Sequence, residues 1–105
     1  MVGMERRREF RVPAEVEVRI AGVDAHGELF AQDALARSLS LSGALVTGIE
    51  HNLRCGDGLF VQQNGHQSKF KIVWVLDGQA AVQKFKDEPC PWGELLGIEA
   101  VGTGR

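Results

Sequence analysis

Apolar and polar residues alternate along much of the chain with a period of two. The segment 14–20 reads Ala-Glu-Val-Glu-Val-Arg-Ile. Because successive side chains of a β-strand point to opposite faces, this spacing predicts a strand with one buried face. Further strands are predicted over 35–42 and 44–49, and no window shows a long helical period. The pattern favours an all-β fold.

The two tryptophans are both predicted to pack in the interior. Phe70, Ile72, Trp74 and Leu76 alternate with other residues, which predicts another strand with these four side chains on its core face. Trp92 lies in the C-terminal tail, and we expect it to close an open end of the fold rather than to contact a partner.

Turn dipeptides separate the predicted strands. Asn-Gly at 64–65 and Asp-Gly at 77–78 accept the positive φ angles of tight hairpins. Asp-Gly at 57–58 predicts a third turn, and 22–27 predicts a looser one. Short strands joined by close turns indicate one antiparallel barrel or sandwich. The tail, 89–97, is predicted to form a short turn or helix.

Composition narrows the functional classes. The 105 residues are 44% hydrophobic and 25% charged, with a net charge of −2, which is typical of one globular domain without an evident nucleic-acid or membrane partner. No apolar run exceeds five residues, so neither a membrane span nor a signal peptide is expected. The two cysteines form no paired motif, so we expect reduced thiols and a cytoplasmic protein.

Catalytic and metal sites are not predicted. His26, His51 and His66 fall in predicted loops or at strand ends, without a spacing that suggests joint metal binding. No serine lies in a nucleophile-elbow motif, and no pair of carboxylates stands out. We therefore expect a binding protein without a metal or cofactor, and not an enzyme.

Two groups of residues nevertheless point to binding chemistry. Before the first strand, the sequence ERRREFR gives a local excess of positive charge, with four arginines at Arg6, Arg7, Arg8 and Arg11. The second group is SLSLSG, which runs from Ser38 to Gly43. Taken alone, each group has a simpler interpretation, the first as a solvated basic segment and the second as a solvent-facing strand.

Strand alternation gives an expectation for the second group. Ser38 and Ser40 should project from one face, on the outer surface, while Leu39 and Leu41 enter the core. By the same alternation Arg37 points inward, unless a bulge or the rim of a barrel releases it.

Together the two groups resemble the PilZ family. PilZ proteins carry RxxxR just before the first strand and [D/N]xSxxG at the junction of the second and third strands. Arg7 and Arg11 fit the first motif, and Ser40 and Gly43 fit the second. The resemblance runs from Glu5 to about Phe85 and implies a six-stranded antiparallel β-barrel that binds cyclic di-GMP.

The resemblance also implies how the ligand is held. A flexible arm, residues 1–12, would fold over a barrel formed by residues 13–105 and clamp the ligand, alone or as a stacked pair. Arginine suits this role because its planar group binds phosphate or guanine edges and stacks on bases. Ordering of the arm would signal to an unidentified downstream protein. The implied ligand-binding residues are Arg7, Arg11, Ser38, Ser40 and Gly43, assisted by Arg6 and Arg8.

One position departs from the family pattern. Ser38 occupies the place of the aspartate or asparagine that is expected to accept hydrogen bonds from guanine. Losing such a charged hydrogen bond costs roughly 1.5–3 kcal/mol, or about tenfold to a hundredfold in affinity. One interpretation of Ser38 at this position is that the chain binds cyclic di-GMP more weakly than the family pattern implies. A PilZ-like domain that binds a protein and no nucleotide is the alternative. A barrel that binds single-stranded nucleic acid is disfavoured by the acidic charge and the seven aromatics.

Overall fold

The computed structural model of the chain describes residues 11–96. Along this part of the chain come β1 (Val12–Val23), β2 (Leu29–Leu39), β3 (Gly43–Thr47), β4 (Gly58–Gln63), β5 (His66–Leu76), β6 (Gln79–Lys84) and the single-turn helix α1 (Gly93–Leu96). Within this range there is no helix with the length and apolar character needed to cross a bilayer.

The six strands close into an antiparallel barrel. Their order around the ring is β1-β2-β3-β6-β5-β4. The ring closes where β1 pairs with β4, with Arg19 opposite Gln62 and Ala21 opposite Phe60. Closure satisfies backbone groups that an open sheet would leave at its edges. The predicted all-β fold is confirmed, and it is a barrel rather than a sandwich.

Two of the predicted turns form as tight hairpins. Asn64 and Gly65 have φ angles of 52° and 85°, and Asp77 and Gly78 have φ angles of 47° and 77°. Positive φ at both central residues is the mark of a type I′ turn, whose twist matches that of the flanking strands. These turns join β4 to β5 and β5 to β6, as the dipeptides predicted.

The other two turn predictions are displaced. The turn before β4 lies at Cys55 and Gly56, where Gly56 has φ +95°, and Gly58 is already the first residue of β4. Similarly, β1 continues to Val23, so the predicted loop over 22–27 begins only after that residue. Glycine without positive φ is tolerated within a strand, and a glycine alone therefore does not locate a turn.

The core fills the barrel interior and one of its ends. Trp92, which follows the last strand, is fully buried, and its ring centroid lies 5.4 Å from that of Phe70. The prediction that Trp92 packs is confirmed. The buried apolar residues are Val18, Ile20, Phe30, Ala34, Ala36, Leu39, Ala44, Val46, Ile49, Leu53, Leu59, Val61, Phe70, Ile72, Ala80, Val82 and Trp92.

A bulge in β5 reverses the expected face of its second half. Ile72 pairs with Val82, but Trp74 pairs with the next residue of β6, Ala81, so β5 holds one extra residue. After this bulge the alternation changes phase. Trp74 and Leu76 therefore lie on the outer surface, 44% and 62% exposed, and the prediction that they join the core is wrong.

Candidate ligand-binding site

The structure brings the last arginine of the N-terminal cluster next to the serine segment. β1 and β2 are antiparallel, so the start of β1 lies beside the end of β2, with Val12 opposite Leu39. The Arg11 guanidinium donates a hydrogen bond to the Ser38 carbonyl oxygen and lies 3.5 Å from the Ser38 hydroxyl. Two residues separated by 27 positions thus form one exposed polar surface.

A β-bulge determines how Ser38 is presented. Between the pairs Val12–Leu39 and Glu15–Arg37, β1 has two residues where β2 has only Ser38. Ser38 adopts φ 54°, a left-handed conformation that is uncommon for a residue with a side chain. The local bend leaves Ser38 half-buried at the rim of the barrel.

The same bulge places Arg37 on the outside. The residues on either side of the phase change, Ala36 and Leu39, are both buried, whereas Arg37 is exposed. Its guanidinium lies 4.0 Å from the Glu15 carboxylate in an exposed ion pair. Strict alternation would have buried Arg37. The exception expected from the sequence is a bulge that turns this side chain outward, and the structure contains such a bulge. The rim therefore carries two guanidinium groups, those of Arg11 and Arg37.

Ser40 does not lie on the outer surface, and this prediction is wrong. β2 ends at Leu39, and the chain turns before β3, so strand alternation no longer applies. Ser40 is fully buried, and its hydroxyl oxygen accepts a hydrogen bond from the Gly43 N–H at 3.1 Å. Leu41, expected in the core, is instead 39% exposed. The Ser40 hydroxyl therefore holds the β2–β3 connection together.

Gly43 is required by the packing of two strands. A Cβ atom added at Gly43 would lie 2.3 Å from the Val82 carbonyl oxygen of β6. Real Cβ atoms do not approach a backbone oxygen so closely, so only glycine allows β3 to lie at this distance from β6. Like Ser40, Gly43 therefore stabilises the backbone that supports the rim.

Sequence reasoning missed the contribution of the tail to this support. The Trp92 indole Nε1–H donates a 2.8 Å hydrogen bond to the Ser40 carbonyl oxygen. The Ser68 hydroxyl donates to the Pro89 carbonyl oxygen and fixes the tail against β5. The only sequence signal was a tryptophan between a proline and a glycine, which indicates packing but does not identify a hydrogen-bond partner.

Comparison with known proteins identifies the architecture. No family model matches the sequence, and no curated protein matches it. Among solved structures, the PilZ domain of CeSA, from a cellulose-synthesising bacterium, is similar to this chain with a TM-score of 0.57. The chain has the fold of a PilZ domain. The two proteins are 17% identical, and the match covers 90% of this chain and 95% of that one.

In this PilZ fold, the described motif residues divide into two groups. Arg11 and Ser38 lie at the surface and contact each other, whereas Ser40 and Gly43 are buried and support them. The other three arginines of the predicted site, Arg6, Arg7 and Arg8, lie outside the described residues. The predicted flexible arm over residues 1–12 falls almost entirely outside them as well, although β1 already begins at Val12.

A second polar cluster lies at the opposite end of β1, in the β1–β2 loop. The Asp24 carboxylate accepts hydrogen bonds from the backbone N–H groups of Glu28, at 3.0 Å, and of His26, at 2.9 Å. The bond from Glu28 is the largest cause of a lowered pKa at Asp24, and burial opposes it. His51 lies 4.0 Å from the same carboxylate and stacks on Phe30. This arrangement organises the loop.

The histidines do not assemble into a metal site. Within residues 11–96, no group of three or more potential metal ligands comes together. His26 is exposed, and His66 is exposed at the start of β5. His51 is half-exposed because its ring stacks on Phe30.

Proposed function

We propose that this chain binds cyclic di-GMP at the rim formed by Arg11 and Ser38 and acts as a receptor or adaptor in a bacterial signalling pathway. The observation that carries the proposal is the contact between Arg11 and Ser38, which joins one residue from each PilZ motif on an exposed surface. The likeness of the fold to a PilZ domain supports it.

The chemistry of the rim suits this ligand. Cyclic di-GMP carries two phosphodiester anions and two guanines, and guanidinium groups bind both phosphates and guanine edges. Arg11 is exposed, and its present acceptor is a neutral carbonyl oxygen. A phosphate oxygen is a stronger, charged acceptor, so ligand binding would redirect this guanidinium from Ser38 to the phosphate.

The N-terminal arm completes the proposed site. Arg7, one position of the RxxxR motif, would bind the second face of the ligand, while Arg6 and Arg8 add electrostatic attraction. Ordering of the arm on binding would change the surface offered to a downstream protein, which constitutes the signal. Ser40 and Gly43 contribute by fixing the backbone of the rim.

Calorimetric titration of the protein with cyclic di-GMP tests the proposal. Arg11→Ala should weaken binding at least tenfold, because it removes a charged hydrogen bond worth about 1.5–3 kcal/mol. Arg19→Ala is the matched control, since Arg19 is also an exposed arginine but lies within β1 and is paired with Asp33, which is opposite it on β2. Equal loss in both variants, or no binding by the wild type, would contradict the proposal. The measured stoichiometry distinguishes one ligand from a stacked pair.

Ser38→Asp tests the departure from the family pattern. The substitution restores a carboxylate that can accept hydrogen bonds from guanine, so affinity should increase by about tenfold or more. The new carboxylate would also face Arg11, whose guanidinium lies 3.5 Å from the serine hydroxyl. Unchanged or weaker affinity would show that guanine does not reach this position.

A second candidate function is a protein-interaction module without nucleotide binding. Two observations favour it. Ser38 offers a single hydroxyl where the family has an aspartate or asparagine, and the Arg11 guanidinium already has an acceptor in the Ser38 carbonyl. Absence of calorimetric heat in the wild type and in Ser38→Asp would favour this candidate over the first.

A further inference from the structure

The lysines of the chain are gathered on one face of the barrel. The chain has four, at Lys69, Lys71, Lys84 and Lys86, and all belong to β5, β6 or the residues that follow β6. Within residues 11–96 none of their ammonium groups forms an ion pair. By contrast, three of the four described arginines have a carboxylate within 4.0 Å. The Glu88 carboxylate lies nearby, but it accepts a hydrogen bond from the Lys69 backbone N–H and not from an ammonium group. A cationic face without ion pairs on a barrel of net negative charge is therefore a candidate anion-binding surface.

Three of these lysines surround a cleft. It has a volume of about 200 Å³ and is lined by Lys71, Gln83, Lys84, Phe85 and Lys86. Lys71 of β5 lies directly opposite Gln83 of β6, so the two strands form the floor. No carboxylate is among the lining residues. The cleft therefore combines three lysines with the side chains of Gln83 and Phe85.

This combination suits a phosphate group. Lysine binds phosphate as a compact point charge with three donors, and several lysines share the charge of the anion. A cleft of this volume is below the range of about 300–1,000 Å³ that holds a whole drug-sized ligand. It therefore accepts the phosphate of a larger molecule whose remainder stays outside.

One of the residues that line the cleft carries an exposed aromatic ring. Phe85 is 40% exposed, and the Lys69 ammonium lies 5.7 Å from the centre of its ring. The cation–π contact leaves part of the ring open to solvent. That open ring can pack against the organic part of a phosphate ester, which inorganic phosphate lacks.

The cleft is separate from the Arg11–Ser38 rim. In the barrel order, β3 lies between β2 and β6, so β2 and β6 are two strand spacings apart, or about 10 Å. The backbone nevertheless connects the two places, because the Lys84 N–H donates a 2.6 Å hydrogen bond to the Ser42 carbonyl oxygen.

We propose that the cleft formed by Lys71, Lys84 and Lys86 is a second anion site that binds the phosphate group of an organic phosphate.

Titration with inorganic pyrophosphate at low salt, followed by amide NMR, tests the site. The largest shifts should map to Lys71 and Lys84. The double variant Lys71→Gln/Lys84→Gln should raise the dissociation constant by about tenfold, because each surface charge contributes up to about fivefold. Arg19→Gln is the control for charge alone, and it should bind pyrophosphate within about twofold of the wild type.

The source of the phosphate is distinguished by a second arm of the experiment. Sedimentation with vesicles of phosphatidylglycerol in phosphatidylcholine, abolished by the double lysine variant and by Phe85→Ala, would assign the phosphate to a lipid headgroup. Pyrophosphate binding without vesicle binding would assign it to a soluble ester. The proposal is overturned if neither probe binds, if binding survives the double variant, or if Arg19→Gln weakens it equally.

Discussion

Replacing Gly43 by alanine introduces a methyl group where β3 approaches β6. The new Cβ would lie 2.3 Å from the Val82 carbonyl oxygen. An ordinary carbon–oxygen contact is about 3.3–3.6 Å, so the strands must separate by about 1 Å at this point. Both strands are held in the closed ring on their other sides, by β2 and by β5, which limits this movement.

The cost follows from these constraints. Forcing one extra methyl into a well-packed position costs about 1–3 kcal/mol. Alanine also lowers the conformational entropy of the unfolded chain, and this stabilises the folded state by about 0.4–1 kcal/mol and offsets part of the loss. The expected net loss of about 1–2 kcal/mol is a large part of the 5–15 kcal/mol typical of a domain, and it lowers the melting temperature by about 5–15 °C.

Urea and thermal unfolding followed by circular dichroism measure this loss. Gly22→Ala in β1 is the matched control, because the nearest atom to its added Cβ is the Gly58 carbonyl oxygen at 3.4 Å, an ordinary contact distance. Its unfolding free energy should stay within about 0.5 kcal/mol of the wild type. If Gly43→Ala and Gly22→Ala unfold at the same urea concentration, the close approach of β3 and β6 is not as described.

Two further predictions concern buried polar groups. Ser40→Ala removes the acceptor of the Gly43 N–H, so the unfolding free energy in urea should fall by about 1–3 kcal/mol; an unchanged urea midpoint would mean that the N–H finds another partner. The backbone hydrogen bond from Glu28 lowers the pKa of Asp24, so the stabilisation from this carboxylate is complete above the unfolded pKa of about 4 and is lost as the pH falls through the lower folded value. Asp24→Asn should flatten the dependence of the urea midpoint on pH in this acidic range, and an identical pH profile would contradict the assignment.

Local turn chemistry made part of the fold predictable from sequence. The dipeptides at 64–65 and 77–78 need positive φ at both residues, and few other structures meet that need, so the hairpins follow directly. Alternation likewise located β1 and the first half of β5, because in each of them the residues of one face are more buried than their exposed neighbours.

Bulges and chain turns explain why the other parts of the fold and of the candidate site could not be predicted from the sequence. A single extra residue between Ile72 and Trp74 reverses which side chains face the core, and nothing in a pattern of period two marks its position. The same limitation misplaced Ser40, because the strand ends one residue before it. The pairing of Arg11 with Ser38 was accessible only through motif resemblance, since the contact joins two elements and depends on their register.

One of the two tryptophans of this chain is exposed and the other is buried, so the intrinsic fluorescence of the protein can distinguish the two environments. Trp74 is 44% exposed on the outer surface of the barrel, whereas Trp92 is buried beside Phe70 and donates a hydrogen bond to the Ser40 carbonyl oxygen. A soluble quencher such as iodide should reach the first and spare the second. Residual emission in its presence then reports on the backbone just beneath the rim, without any attached dye.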